Sequence, residues 1–267
     1  MRTNRVGVGA LATLQRGDDG WVLAGFPKAC YVSFPTGLVA LVAPGVAPGP
    51  IHAELDGSPP PARRGVRAQV VGRHLEVGGR RIDFAGALAW CGPLPSPDDV
   101  RASADRIVVA TELASRASLL LEPYRARGER ARQRLMAGSL EDAARLLVGV
   151  GPGLTPSGDD ALAGVVFALR ATLGRGAEPR TRPAAEAGET GSISRGFLRW
   201  AARGQALGHV HDLLAAAACG DQEGTSRAAR QIAAVGETSG ADFLLGLRWG
   251  IEAASQRLPT FAAHSRR

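Results

Sequence analysis

This 267-residue sequence has a single lysine (Lys28), three cysteines, only 5% aromatic residues and no long uninterrupted apolar run. The cysteines, Cys30, Cys91 and Cys219, are odd in number and show no C-x-x-C spacing, which argues against a disulfide framework and against a thiolate zinc site. No apolar run reaches the roughly 18 residues that a membrane span needs. The short apolar stretch near the N-terminus is cut off by Arg16, Asp18 and Asp19, too early for a secretory leader. A soluble, cytoplasmic chain without a membrane partner is expected. With lysine nearly absent, the net charge of +7 rests on arginines scattered through every segment. Scattered charge with few aromatics to stack on argues against nucleic acid as a partner. The charge reads first as an arginine-biased composition, the alternative being a general attraction for anionic small molecules or an acidic partner.

What is present divides into two textures, and the length allows two modest domains. From Trp21 to about Gly92, runs such as WVLAGF, CYVSF, GLVALVA and RAQVV are rich in β-branched and apolar residues and punctuated by Pro and Gly. Gly78-Gly79 between HLEV and RIDF signals a hairpin. These strands predict an antiparallel β barrel or sandwich over residues 1–92, and the following residues 93–267 a mainly α-helical domain, an α+β chain. Ser96, with Pro97 next and acids at Asp98 and Asp99, reads as a helix cap and first turn. Helical spacing continues through Ile107, Thr111, Ala114 and Ser118 to Leu121, then Leu135, Leu140, Ala144, Leu147 and Val148. The charged stretch from Gly174 to Thr190 reads as a loop or a disordered insertion.

The most unusual segment is GVGPGLTPSGDD, Gly149 to Asp160, followed by an apolar run. Thr155 can cap the helix there and Pro156 suits its first position. A glycine-rich loop entering a helix start points backbone N–H groups at an anion. The segment is no P-loop, since it has no G-K-[ST], and its alternating glycines make a poor dinucleotide fingerprint. Two aspartates beside a bare anion call for a metal or for a substrate amide. The pattern then recurs: Ser157-Gly158-x-Asp160-x-Leu162-x-Gly164 returns as Ser239-Gly240-x-Asp242-x-Leu244-x-Gly246, with Thr155 and Thr238 upstream. Two such starts can face each other across one pocket; equally, each aspartate can serve only its own helix end. Other groups read as structural. His209 and His211 sit two apart and do not share a helix face, while Ser194 can equally cap the following helix or touch a ligand. Trp200, Trp249 and Phe243 suit the core. Arg195 and Arg199 add charge to the pocket only if their helix faces it.

GVGPGLTPSGDDALAG, ETSGADFLLG and the middle block TGSISRGFLRWAARGQ resemble a bacterial family typified by the AllH-type subunit of oxamate carbamoyltransferase, an enzyme of anaerobic allantoin breakdown. The resemblance implies a β-rich region ahead of a helical one, and a chain acting with two other subunits. The implied reaction is phosphorolysis of oxalurate to oxamate and carbamoyl phosphate. Its matched positions are Gly151, Gly153, Thr155, Ser157, Gly158, Asp159 and Asp160, then Ser239, Gly240 and Asp242. Ala161, where a larger apolar residue is expected, and the charged Gly174 to Thr190 linker depart from it. Carbamoyl transfer needs donors for phosphate oxygens and polarisation of a carbonyl. The helix-start N–H groups with Thr155 and Ser157 can supply the first. Asp160 and Asp242, the expected catalytic pair, can bind amide N–H groups or a Mg²⁺ bridging phosphate oxygens. The alternative is a non-catalytic subunit that binds an anionic metabolite and regulates a partner enzyme.

Overall fold

The structure, a computed structural model, describes residues 1–256 except the side chains of 113–115. Residues 257–267, the end of the expected helical domain, and the side chain of Ala114 lie outside the described residues. Two compact units make up the chain, Met1–Gly92 and the residues from Pro93 onward.

The first unit runs β1 (Thr3–Gly7), α1 (Val8–Leu14), β2 (Asp19–Phe26), β3 (Ala29–Phe34), β4 (Gly37–Val42), β5 (His52–Leu55), β6 (Arg67–Val71), β7 (His74–Val77), β8 (Arg80–Asp83) and β9 (Leu88–Trp90). They form one sheet in the order β8-β7-β6-β2-β3-β4-β5-β1-β9. It curls into a half-barrel, and a bridge between Arg2 and Asp83 brings the start of the chain to the end of β8. The period-two pattern makes the inner face: Cys30, Val32 and Phe34 on β3, Ala68 and Val70 on β6, Leu75 and Val77 on β7 are buried. Gly78 and Gly79 have φ of 58° and 71°, the positive values a two-residue hairpin turn demands, and Val77 pairs with Arg80 across them. Most pairings are antiparallel. The pairs β4–β5 and β1–β9 are parallel, because the Pro-rich segment after β4 carries the chain back before β5 begins. The N-terminal apolar stretch, which gave no element by its sequence, is β1 and α1. Ala10 and Leu14 of α1 join Val32, Val39 and Leu41 in the core of this unit.

The second unit contains α2 (Pro97–Ala102), α3 (Ala104–Ala110), two 3-10 turns (Thr111–Arg116 and Ser118–Leu120), α4 (Arg125–Met136), α5 (Leu140–Leu147), α6 (Ser157–Leu173), α7 (Glu178–Glu186), α8 (Ser192–Ala201), α9 (Gly208–Ala218), α10 (Gln222–Ala233) and α11 (Ser239–Gln256). Ser96 caps α2, its Oγ accepting from the Asp99 N–H at 3.1 Å. The long helical segment expected through Ile107 to Leu121 is broken: α3 stops at Ala110 and two 3-10 turns follow. The stretch from Gly174 to Thr190, expected as a loop or disordered insertion, instead holds a 3-10 turn and α7. Thr181, Ala184 and Ala185 bury a narrow face there that the surrounding charges mask in the sequence. At the centre, α6 and α11 lie against each other. Nearly every residue of α6 is buried, Phe167 completely, and a helix apolar on all sides belongs in a core.

Candidate functional site

Two helix starts, built alike, form the site. Where α5 ends, the Val150 N–H donates to Leu147 O at 3.1 Å, and the Gly158 N–H then donates to Val150 O at 2.8 Å. Where α10 ends, the Val235 N–H donates to Ile232 O at 2.9 Å, and the Gly240 N–H to Val235 O at 3.0 Å. Both glycines are required by contact. A Cβ on Gly158 would stand 1.9 Å from Leu147 O, and one on Gly240 would stand 1.8 Å from Ile232 O. The copies differ in the loop, which takes eight steps from Val150 to Gly158 and five from Val235 to Gly240. The extra length of the first copy is the Pro-Gly segment around Gly153, an exposed position.

The helices then cross reciprocally. A Cβ on Gly164 would meet Phe243 O at 2.1 Å, and a Cβ on Gly246 would meet Ala161 O at 1.8 Å; Ala161 and Phe243 are equivalent positions of the repeat. The unexpectedly small Ala161 thus lies where the two backbones come closest. The same exchange governs the polar groups. Hydroxyls of Ser239 and Thr155 act on the Asp160 carboxyl, while those of Ser157 and Thr238 act on Asp242. Each aspartate therefore faces the serine of the other copy. Thr155 and Ser239 also meet directly, Oγ1 to Oγ at 3.2 Å. A hydrogen bond from the Leu119 N–H to Asp242 Oδ1 at 3.3 Å brings the second 3-10 turn into the site, a link with no signal in the sequence.

Electrostatically the pair is set against ionisation. Burial, helped by the charges of Asp242 and Asp159, pushes Asp160 well above the ordinary carboxylate range, although the Ser239 and Thr155 hydroxyls pull the other way. Burial also raises Asp242, opposed by Ser157, the Leu119 N–H and Thr238. Asp160 Oδ2 and Asp242 Oδ2 are both buried without a hydrogen-bond partner among the described residues. Two neighbouring carboxyls of this kind hold one proton between them more readily than two charges. A carboxylic acid beside a carboxylate offers one O–H donor and one acceptor, which matches the C=O and N–H₂ of an amide or carbamoyl group. Among the described residues no group of three or more His, Cys, Asp or Glu is placed to hold a metal ion. The donor set here, two buried acids raised in pKa, fits a shared proton.

The remaining expected site residues separate from this pair. Asp159 is buried and ties the loop: Oδ1 accepts from the Gly149 N–H at 2.9 Å, and Oδ2 accepts from the Thr190 hydroxyl. Thr155 does not cap α6, which begins at Ser157 with Pro156 half inside and no side-chain cap; its hydroxyl is spent across the repeat instead. Gly151 has φ of 113° and lies against Ser157, and Gly153 lies at an open position. Ser194 is not a cap either, because its Oγ donates to Leu154 O at 3.3 Å and fastens the glycine loop to α8. Arg195 donates to the carbonyls of Ala187 and Gly188 at the end of α7, and Arg199 pairs with Glu186 at 2.7 Å, drawing Glu186 below its ordinary value. Both arginines brace α7. His211 is buried, with Nε2 accepting from the Ala206 N–H at 3.2 Å and Nδ1 facing Pro93 O at 2.9 Å. It is a neutral core histidine whose pKa burial lowers.

A helical unit with paired, interlocked helix starts over a buried acid pair is the class of protein that the fold and site define. Residues 147–251 match the model of a family described as oxamate carbamoyltransferase subunit AllH. The matched segment runs from the last residue of α5 into α11, so both copies of the motif lie within it, and it spans less than half of the chain. Comparison with curated proteins and with solved structures finds no match to either. Among the described residues no helix is long and apolar enough to cross a membrane.

Proposed function

We propose that this chain is a subunit of an oxamate carbamoyltransferase-like enzyme and that its paired helix starts bind a carbamoylated small anion. The observation that carries the reading is the exchange of Asp160 and Asp242 between the two copies, each buried carboxyl beside the other copy's serine. In this reading the acid pair recognises the carbamoyl or amide end. The glycine loop takes phosphate: among the described residues no acceptor engages the N–H of Gly151, Gly153 or Leu154, and three such donors in one loop suit phosphate oxygens. Thr155 and Ser157 lie between the two halves. As charge builds on the carbamoyl oxygen, the protonated member of the pair donates to it. The similarity to a subunit family supports dependence on protein partners. The test is thermal unfolding of the whole chain with phosphate, carbamoyl phosphate, oxamate and oxalurate, followed by assay of carbamoyl phosphate formation with its partners present. Carbamoyl phosphate at about 100 times its Kd should add roughly 2.7 kcal/mol, and Asp160→Asn should abolish the gain. Binding that persists with no turnover in the assembled complex would favour the regulatory alternative.

A further inference from the structure

The first unit contains a concave site of its own, remote in sequence from the acid pair. A cavity of about 560 Å³ lies between the end of β2, the Pro59–Ala62 strap and the start of β8. Its volume is that of a small-molecule site. The strap that walls it is fixed from both sides. A Cβ on Gly25 would stand 2.4 Å from Ala62 O, and one on Gly78 would stand 3.2 Å from the Ala62 side chain and 3.5 Å from that of Pro60. Three consecutive prolines leave that strap little freedom to lose on binding. Arg63 and Arg80 both line the cavity, and among the described residues neither side chain has a hydrogen-bond or ion-pair partner. No carboxylate lines it. Two uncompensated guanidinium groups on one concavity call for an anion, and their planar fork suits phosphate or carboxylate oxygens. Phe26 lines the same cavity and is 49% exposed. Its contact with Tyr31 is edge-on, with centroids 6.2 Å apart, which occupies at most one face of the ring.

From this combination we infer that the N-terminal unit binds a phosphorylated aromatic small molecule of mononucleotide size, its ring on Phe26 and its phosphate on Arg63 and Arg80. The prolines form the apolar wall and the arginines set the charge requirement. Specificity for phosphate with an attached ring, over either alone, follows from the two features sharing one cavity. The inference rests on residues of the first unit alone and stands apart from the function proposed for the second.

Isothermal titration of the full chain with AMP, inorganic phosphate and adenosine tests it. AMP is expected to bind at least about tenfold more tightly than phosphate or adenosine. Arg63→Gln and Arg80→Gln are each expected to weaken AMP about tenfold, and Phe26→Ala likewise, the loss that one charge-assisted hydrogen bond or one ring stack carries. All three side chains are exposed, and circular dichroism checks that the variants keep their fold. No AMP binding at millimolar concentration, or AMP binding unchanged by the arginine substitutions, would overturn the inference. So would phosphate or adenosine binding as tightly as AMP.

Discussion

Ser239 of the second helix start touches Thr155 of the first, hydroxyl to hydroxyl at 3.2 Å, and both act on the Asp160 carboxyl. This contact joins the two copies of the S-G-x-D pattern into one site. It depends on a helix crossing with room for backbone and nothing more.

That crossing sets the first expectation. Gly246→Ala places a Cβ 1.8 Å from Ala161 O, which forces the two central helices apart. It should cost about 3 kcal/mol or more, or prevent folding. Gly176→Ala, where nothing lies within 4 Å, should stay within about 0.5 kcal/mol of the parent in urea unfolding.

Asp160 makes stability depend on pH. Its pKa is raised in the folded chain, so the folded state holds a proton that the unfolded state releases above about pH 4. Stability from this group is fully present below that pH and falls as pH rises toward the folded-state pKa. Asp160→Asn removes the effect, so the variant should gain stability relative to the parent between about pH 4 and neutrality. Equal pH profiles for the two in urea denaturation would show that the raised pKa is wrong.

Asp159 should behave as a structural residue. It is buried, and it accepts from the Gly149 N–H and from Thr190. Asp159→Ala leaves that N–H without its acceptor and should cost about 2–3 kcal/mol. Amide exchange at Gly149 should speed up while the rest of α6 stays protected.

The two arginines of α8 should differ in weight. Arg195 closes the C-terminal carbonyls of α7, and Arg195→Met should cost about 1.5–3 kcal/mol. The Arg199–Glu186 pair is about half exposed, and Arg199→Met should cost less than about 1 kcal/mol. Denaturation midpoints of the two variants decide the order.

How far the sequence reaches is clear from particular residues. The Gly78-Gly79 hairpin and the Ser96 cap were legible because each is local: a few consecutive residues contain the whole cause. The duplicated pattern was legible because its glycines and aspartates recur at one spacing. Its exchange was not, since whether Ser157 serves Asp160 or Asp242 is settled only when α6 and α11 cross. The Leu119 N–H contact with Asp242 spans 123 positions, and no periodicity marks it. Nor was α7 visible, because its buried Thr181, Ala184 and Ala185 sit among charges that lower the local hydrophobicity.

The most direct test of the account is a ¹³C NMR titration of the Asp160 and Asp242 carboxyls, assigned with Asp160→Asn and Asp242→Asn. The account expects the pair to titrate in two coupled steps, with the last proton leaving well above the ordinary carboxylate range, and the carboxyl signals to move when carbamoyl phosphate is added. If both carboxyls titrate independently near pH 4 and ignore carbamoyl phosphate, the paired helix starts are architecture and the proposed site does not exist.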